Sequence, residues 1–412
     1  MTILLTRRVY RLAVVIAIAG LCLPAPVQSQ NLSRSTHKAL TEARELMGED
    51  KHDEALSELE RLLDKVEKRD YEKALTLQTL GYAYVGMDRD RDAIAVFERS
   101  LALDALPDTP RIKLQNMLAR LYARTDQYEK AYGYLEDWFA EIENPKAQDY
   151  ALKANILAQL DRGAEGIEAI GKAIEMTDRP MEQYFQLLVA LQYGSDRFTH
   201  AAQTLQDMLS LWPGKKQYWT QLVNVYLNLD RNEDAHAVLK LAYRKGLIES
   251  ERELVRLARI ALSIDVPASA AELLEKEIER GRVAANEDHW ALTAQAWARA
   301  REWERAIAAY AEAAERGSPG NYHMQRASMF TYLNDWQGVI DAARTALEDG
   351  DLDSPGRARV LIGRGYLELG EYDAAMAAFK DAGDYSETAD QARQWRQYAE
   401  SLKQYSGGRS TS

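Results

Sequence analysis

Residues 74–97 read Ala74-Leu-Thr-Leu-Gln-Thr-Leu-Gly81-Tyr-Ala-Tyr84-Val-Gly-Met-Asp88-Arg-Asp-Arg-Asp92-Ala93-Ile-Ala-Val-Phe97. A glycine stands at the eighth place, a tyrosine at the eleventh, an alanine at the twentieth and a phenylalanine at the twenty-fourth. The same layout returns as Gly363, Tyr366, Ala375 and Phe379 in the unit that starts at Gly356. Counted outward from this stretch, the pattern restarts at Thr36, Ala74, Ile112, Ala147, Glu182, Lys216, Glu251, Glu287, Gly320 and Gly356, in steps of 33 to 38 residues. The eighth place stays small in most units (Ala43, Ala119, Ala154, Ala258, Ala294, Ala327), and so does the twentieth (Ala55, Ala131, Gly166, Ala201, Ala235, Ala270, Ala306). Bulk fills the eleventh (Tyr122, Leu157, Tyr226, Trp297, Phe330) and the twenty-fourth (Leu59, Leu135, Ile170, Leu205, Leu239, Leu274, Tyr310). Small residues let two helices cross closely, and large ones fill the layers between them.

A period near 34 with this layout resembles the tetratricopeptide repeat, a unit of two antiparallel helices. The resemblance covers residues 36 to 385. It implies an all-α, right-handed solenoid of about ten hairpins, in which each unit packs on its neighbours. Prolines between units, at Pro107, Pro145, Pro180 and Pro213, suit the joints. The 38-residue steps predict long second helices or extra turn residues in the first units, and the charged run Lys65–Lys73 suits an extended helix. After the last unit, Ala389, Ala392, Trp395, Ala399 and Leu402 recur at helical spacing. That predicts a capping helix within residues 386–405, with 406–412 (Ser-Gly-Gly-Arg-Ser-Thr-Ser) as a disordered tail.

The N-terminus reads as a cleavable signal peptide over residues 1–29. Arg7, Arg8 and Arg11 precede the apolar run Leu12–Leu23, and Pro24-Ala-Pro-Val-Gln-Ser29 supplies small residues for cleavage after Ser29. An uncleaved anchor is the competing reading. The lipoprotein reading is disfavoured by Leu21, which precedes the only cysteine, Cys22. Cleavage would leave a cysteine-free periplasmic chain without disulfide or thiolate chemistry. It would also move the net charge from −12 to −15, which disfavours nucleic acid and anionic membranes as partners. No other run is long enough to span a membrane, so no stable insertion is expected after cleavage.

Nothing in the sequence points to catalysis, and no cofactor or metal is expected. There is no phosphate loop, nucleophile elbow or His-Glu-x-x-His pair. The six histidines (His37, His52, His200, His236, His289 and His323) never fall at ligand spacing. Asp88 to Asp92 lacks the glycine and the closing glutamate of a calcium loop and reads as a turn between helices. The tryptophans read as core and turn residues.

In tetratricopeptide solenoids the first helix of each unit lines a concave channel through its second, fifth, sixth, ninth, twelfth and thirteenth residues. Of the 60 such positions here, two are acidic (Asp288 and Glu368) and ten are basic: Arg44, Lys113, Arg120, Arg124, Arg252, Arg256, Arg259, Arg299, Arg357 and Arg364. Amides fill the central units, among them Asn155, Gln186, Gln221 and Asn224. Amides can bond both backbone groups of an extended peptide. Arg252, Arg256 and Arg259 follow at steps of four and three and share a helix face. These seven residues are the candidate partner-binding groove, suited to an extended protein segment that carries acids. The three-unit carboxylate clamp of chaperone-binding relatives does not occur in consecutive units.

Residues 180–285 also resemble periplasmic tetratricopeptide proteins encoded beside TonB–ExbB–ExbD energy-transducing systems. The stretches that carry this are Leu211-Trp-Pro-Gly-Lys-Lys-Gln-Tyr-Trp219, Leu239-Lys-Leu-Ala-Tyr-Arg-Lys-Gly-Leu247, Glu253-Leu-Val-Arg-Leu-Ala258 and Gly281-Arg-Val283. This resemblance implies a non-catalytic adaptor for iron-carrier or similar nutrient uptake, with TonB-type or ExbD-type periplasmic segments as partners. An adaptor in envelope biogenesis, for polysaccharide export or cell-wall enzymes, is the alternative.

Overall fold

The computed structural model describes residues 32–409 apart from Asp351, with side chains as far as Tyr405. The expected signal segment, its cleavage point after Ser29 and Cys22 lie outside the described residues. All regular structure among the described residues is α-helix, in 21 segments. The described residues divide into two compact units, one ending at Leu187 and the other beginning at Leu188.

In the first unit, consecutive helices pack as antiparallel hairpins: α1 (Arg34–Gly48) with α2 (His52–Lys65), α3 (Asp70–Gly86) with α4 (Asp90–Ala102), α5 (Asp108–Arg124) with α6 (Tyr128–Glu141), and α7 (Ala147–Gln159) with α8 (Gly163–Glu175). Helix α9 (Glu182–Gly194) begins in this unit. The 38-residue steps arise differently from the expectation. The second helices stay at 14 and 13 residues, whereas α3 and α5 each reach 17. The added turn sits at the N-terminus of the first helix, where Asp70 and Asp108 place negative charge against the helix dipole. The Lys65–Lys73 run is accordingly broken. Lys65 ends α2, residues 66–69 turn, and Asp70 to Lys73 open α3.

The second unit holds the end of α9 and α10 (Phe198–Leu211), followed by five hairpins: α11 (Lys216–Asn228) with α12 (Asn232–Arg244), α13 (Glu251–Ser263) with α14 (Pro267–Glu279), α15 (Glu287–Arg299) with α16 (Trp303–Ala314), α17 (Pro319–Tyr332) with α18 (Trp336–Asp349), and α19 (Pro355–Glu368) with α20 (Tyr372–Ala382). Helix α21 (Ala389–Arg409) packs on α20. It runs four residues past Tyr405, so Ser406 to Arg409 are helical where a disordered tail was expected. Extending a formed helix fixes one residue per new bond, whereas starting one fixes several, so a poor helix-forming sequence can be carried at an existing end.

A single backbone device closes every hairpin. The fifteenth residue of each repeat has positive φ: Asp50, Asp88, Asp126, Asp161, Asp196, Asp230, Asp265, Arg301, Asn334 and Gly370. The N–H of the next residue then donates to the carbonyl of the eleventh, at 2.8 to 3.2 Å in all ten, for example Arg89 to Tyr84 and Val266 to Ala261. This is the Schellman closure, which satisfies carbonyls that the helix end leaves open. Aspartate and asparagine tolerate the left-handed region because their short polar side chains bond locally. Asp88 is thus a turn residue, as read from the sequence. Its neighbours are also engaged, Asp90 with Arg124 and Asp92 with Arg89 at 2.7 Å.

Arg301 is the exception in this set, since it has neither glycine's freedom nor a short polar side chain. It is exposed and makes no side-chain bond among the described residues. A left-handed non-glycine residue costs about 1 kcal/mol. Arg301→Asn is therefore expected to raise stability by about 0.5–1 kcal/mol. Urea unfolding measures it, and an unchanged or lowered midpoint would remove the strain argument.

Candidate functional site

The seven sequence-predicted groove residues fall in both units. In the first, Asn155 on α7 is half-buried and donates its amide to Ala151 O of its own helix at 2.9 Å. Gln186 on α9 is exposed. The other five lie on two neighbouring helices of the second unit, and the structure brings them together.

On α11, Gln217, Gln221 and Asn224 are exposed, while Tyr218, Leu222, Val223 and Tyr226 are buried on the opposite side. Gln217 and Gln221 make no hydrogen bond among the described residues. Asn224 accepts from Arg256 Nη2 on α13 at 2.7 Å. The helix is held in place by Trp219, whose indole N–H donates to Pro213 O at 2.9 Å. A second link to α13 is Lys216 Nζ to Glu253 Oε2 at 2.8 Å.

Arg252 and Arg259 on α13 are exposed, and Arg256 between them is half-buried. Leu254, Leu257, Ala258 and Ala261 fill the other side of the helix and fix the arginines outward. Burial lowers the pKa of Arg256 from the ordinary arginine range. The like charge of Arg252 lowers it further, and Glu253 opposes. Among the described residues no carboxylate forms an ion pair with any of the three. The two nearby acids are engaged elsewhere. Glu253 accepts from Lys216 and from Ser250 Oγ at 2.6 Å. Burial disfavours its ionised form, but these bonds prevail and its pKa falls. Glu251 accepts from the backbone N–H of Ala284 at 2.7 Å. Arg252, Val255, Arg256, Arg259, Glu251 and His289 line an open cleft of about 300 Å³. The His289 Nδ1 lies 2.9 Å from Ala284 O, which places the ring proton on that nitrogen.

Three of the other groove arginines are not available in this way. Arg120 pairs with Asp149 at 2.7 Å, Arg124 with Asp90, and Arg299 with Asp265 at 3.0 Å. Asp149 is buried and also caps the start of α7 by accepting from Lys146 N at 3.0 Å. The acids that neutralise these arginines lie outside the six groove positions, so the positive balance counted from the sequence overstates the available charge. Arg364 lies over the Trp395 ring at 5.5 Å and serves the end of the second unit.

The stretches that carry the TonB-associated resemblance do packing work. Gly281 has positive φ, Val283 is buried, and Arg282 pairs with the fully buried Glu277. Tyr243 donates to the same carboxylate at 2.5 Å. Burial raises the Glu277 pKa, but these bonds and the nearby arginines outweigh it, and the group is held below the ordinary carboxylate range. Among the described residues no cluster of three histidine, cysteine or carboxylate side chains could hold a metal ion. No described helix is long and apolar enough to cross a membrane.

The tetratricopeptide repeat family model matches residues 356–386, which is the α19–α20 hairpin and the turn after it. No curated protein matches the chain. Among solved structures, it is similar to a tetratricopeptide repeat protein from Parabacteroides merdae at 15% identity and a TM-score of 0.39, covering 64% of this chain and 99% of that one. It is similar to MamA from residue 41 to the end, from Desulfovibrio magneticus, at 19% identity and 0.38, covering 45% and 99%. A third is the TPR2AB domain of yeast Sti1 in a complex with pHSP90, at 17% identity and 0.31, covering 62% and 98%.

Proposed function

We propose that this chain is a non-catalytic tetratricopeptide-type scaffold that holds an extended protein segment against the first helices of its hairpins. The observation that carries the reading is the face formed by α11 and α13. Gln217 and Gln221 are exposed and uncommitted, and beside them stand three arginines without carboxylate partners. Buried or paired groups would indicate packing, whereas unspent donors and acceptors on a rigid helix pair suit recognition of a backbone. With the TonB-associated resemblance of residues 180–285, the scaffold would act in the periplasm after export by residues 1–29. It would serve a TonB-type nutrient-uptake system and bind TonB-type or ExbD-type periplasmic segments.

The test is calorimetric titration of the mature chain with purified periplasmic segments of TonB-type and ExbD-type proteins. We expect one segment to bind with a Kd of about 1–10 μM. Gln217→Ala/Gln221→Ala should weaken it about tenfold, with unchanged circular dichroism. Absence of binding by both segments at about 0.1 mM would reject the partner assignment.

A further inference from the structure

We propose that the Arg252–Arg256–Arg259 cleft is a dedicated subsite for acidic side chains two residues apart on a bound protein segment. The proposal rests on the scaffold reading above and adds the chemistry of the partner.

Three like charges stand on one face of α13, none of them in an ion pair with a carboxylate among the described residues, and Arg256 is partly desolvated with Glu253 only partly offsetting Arg252. Like charges four apart on a helix are destabilising, so the cleft carries an unfavourable interaction that an incoming anion relieves. Three other arginines counted in the groove, Arg120, Arg124 and Arg299, are neutralised by the chain's own aspartates. Here the acids within reach are held by Lys216, Ser250 and the Ala284 N–H instead. Asn224 orients Arg256 by occupying only one of its donors, which leaves the guanidinium able to grip a carboxylate.

Spacing and volume choose the occupant. Arg252 and Arg256 are separated by about 6 Å of helix rise. Side chains two apart on an extended strand are separated by about 7 Å. An acid-x-acid sequence therefore presents two carboxylates in register with the arginines. A cleft of about 300 Å³ accommodates side chains rather than a folded element. The apolar floor at Val255, 7% exposed, suits their methylene stems. The neighbouring amides of Gln217 and Gln221 are placed for the backbone that joins them.

The experiment is fluorescence anisotropy with two fluorescein-labelled peptides, one alternating glutamate with serine and the other with glutamine in place of glutamate. At about 20 mM salt, where screening is weak, the glutamate peptide should bind about tenfold tighter. The preference should vanish in Arg252→Gln/Arg256→Gln and shrink at about 300 mM salt. Equal affinity for the two peptides, or a preference that survives the double substitution, overturns the subsite. So does competition by free glutarate at the affinity of the peptide itself, which would mean a small-anion site. If the glutamine peptide binds and Gln221→Ala weakens it while glutamate confers no advantage, the scaffold reading stands and the subsite falls. If neither peptide binds, both fall.

Discussion

Gly81→Ala is expected to destabilise the first unit by about 1–2 kcal/mol, although alanine is the better helix former. Gly81 sits inside α3, where replacing glycine by alanine alone would gain about 0.5–1 kcal/mol. The position is closed by the Phe97 ring. A Cβ at Gly81 would overlap ring carbons Cδ1, Cε1 and Cζ of that fully buried side chain. Phe97 also meets the Tyr82 ring edge-on with centroids 5.3 Å apart and is 0% exposed, so it has little room in which to yield. Overpacking of this kind costs about 1–3 kcal/mol and exceeds the propensity gain. The same pair recurs at Gly363 and Phe379, where an added Cβ would lie 2.5, 2.6 and 2.9 Å from the ring. Where the eighth place is alanine, the twenty-fourth is commonly aliphatic, as in Ala43 with Leu59, Ala119 with Leu135 and Ala154 with Ile170. Gly81→Ala/Phe97→Leu should accordingly recover most of the loss, because it rebuilds the pair used next door. Urea unfolding of both single variants and the double gives the coupling. Additive losses in the double would show that the two positions do not constrain each other.

That coupling is also why the fold was legible. The eighth, eleventh, twentieth and twenty-fourth places are set by contacts inside one hairpin, so ten copies in one chain repeat the same constraint. The fifteenth place carries an equally regular signal, seven aspartates, an asparagine and a glycine in ten. A search for large and small residues passes over it, because its cause is backbone φ rather than volume. The candidate site was legible only in part. Helical spacing alone puts Arg252, Arg256 and Arg259 on one face. Which groove arginines are already neutralised depends on Asp90, Asp149 and Asp265, about one repeat away in sequence and outside the groove positions. The bond from Arg256 to Asn224 likewise crosses between repeats. The extra turn on α3 and α5 was misassigned because a repeat step fixes how many residues intervene, and not which helix takes them.

Ending the chain at Gly383 is expected to cost several kcal/mol at the C-terminal end of the second unit and to cause self-association. Helix α21 is the only element covering the last hairpin among the described residues on that side. Trp395 stacks on Phe379 with centroids 6.1 Å apart and planes 16° apart. Ala392 and Ala399 are buried in the same cluster as Val360, Leu367, Phe379 and Ala382. The approach to α21 is fixed by Thr388, which is buried and donates its hydroxyl to Ala382 O at 2.7 Å. Gly356 makes room for it, since a Cβ there would clash with the Thr388 hydroxyl and approach Glu387 and Tyr385. Phe379 is 1% exposed with α21 in place. Leaving such a ring open forfeits about 1.5–3 kcal/mol, and Val360 and Leu367 add to it. The face left behind would be a contiguous apolar patch, which associates in water. Trp395→Ala separates the effect of the ring from that of the helix. The ring is only half-buried, so this variant should lose about 2 kcal/mol, below the 3–5 typical of a fully buried tryptophan, and stay monomeric. Thermal unfolding with light scattering distinguishes the three chains. A truncated chain that remains monomeric with an unchanged midpoint would mean that α21 covers nothing the fold needs. A Trp395→Ala loss as large as the truncation would place the whole contribution in one ring rather than in the helix.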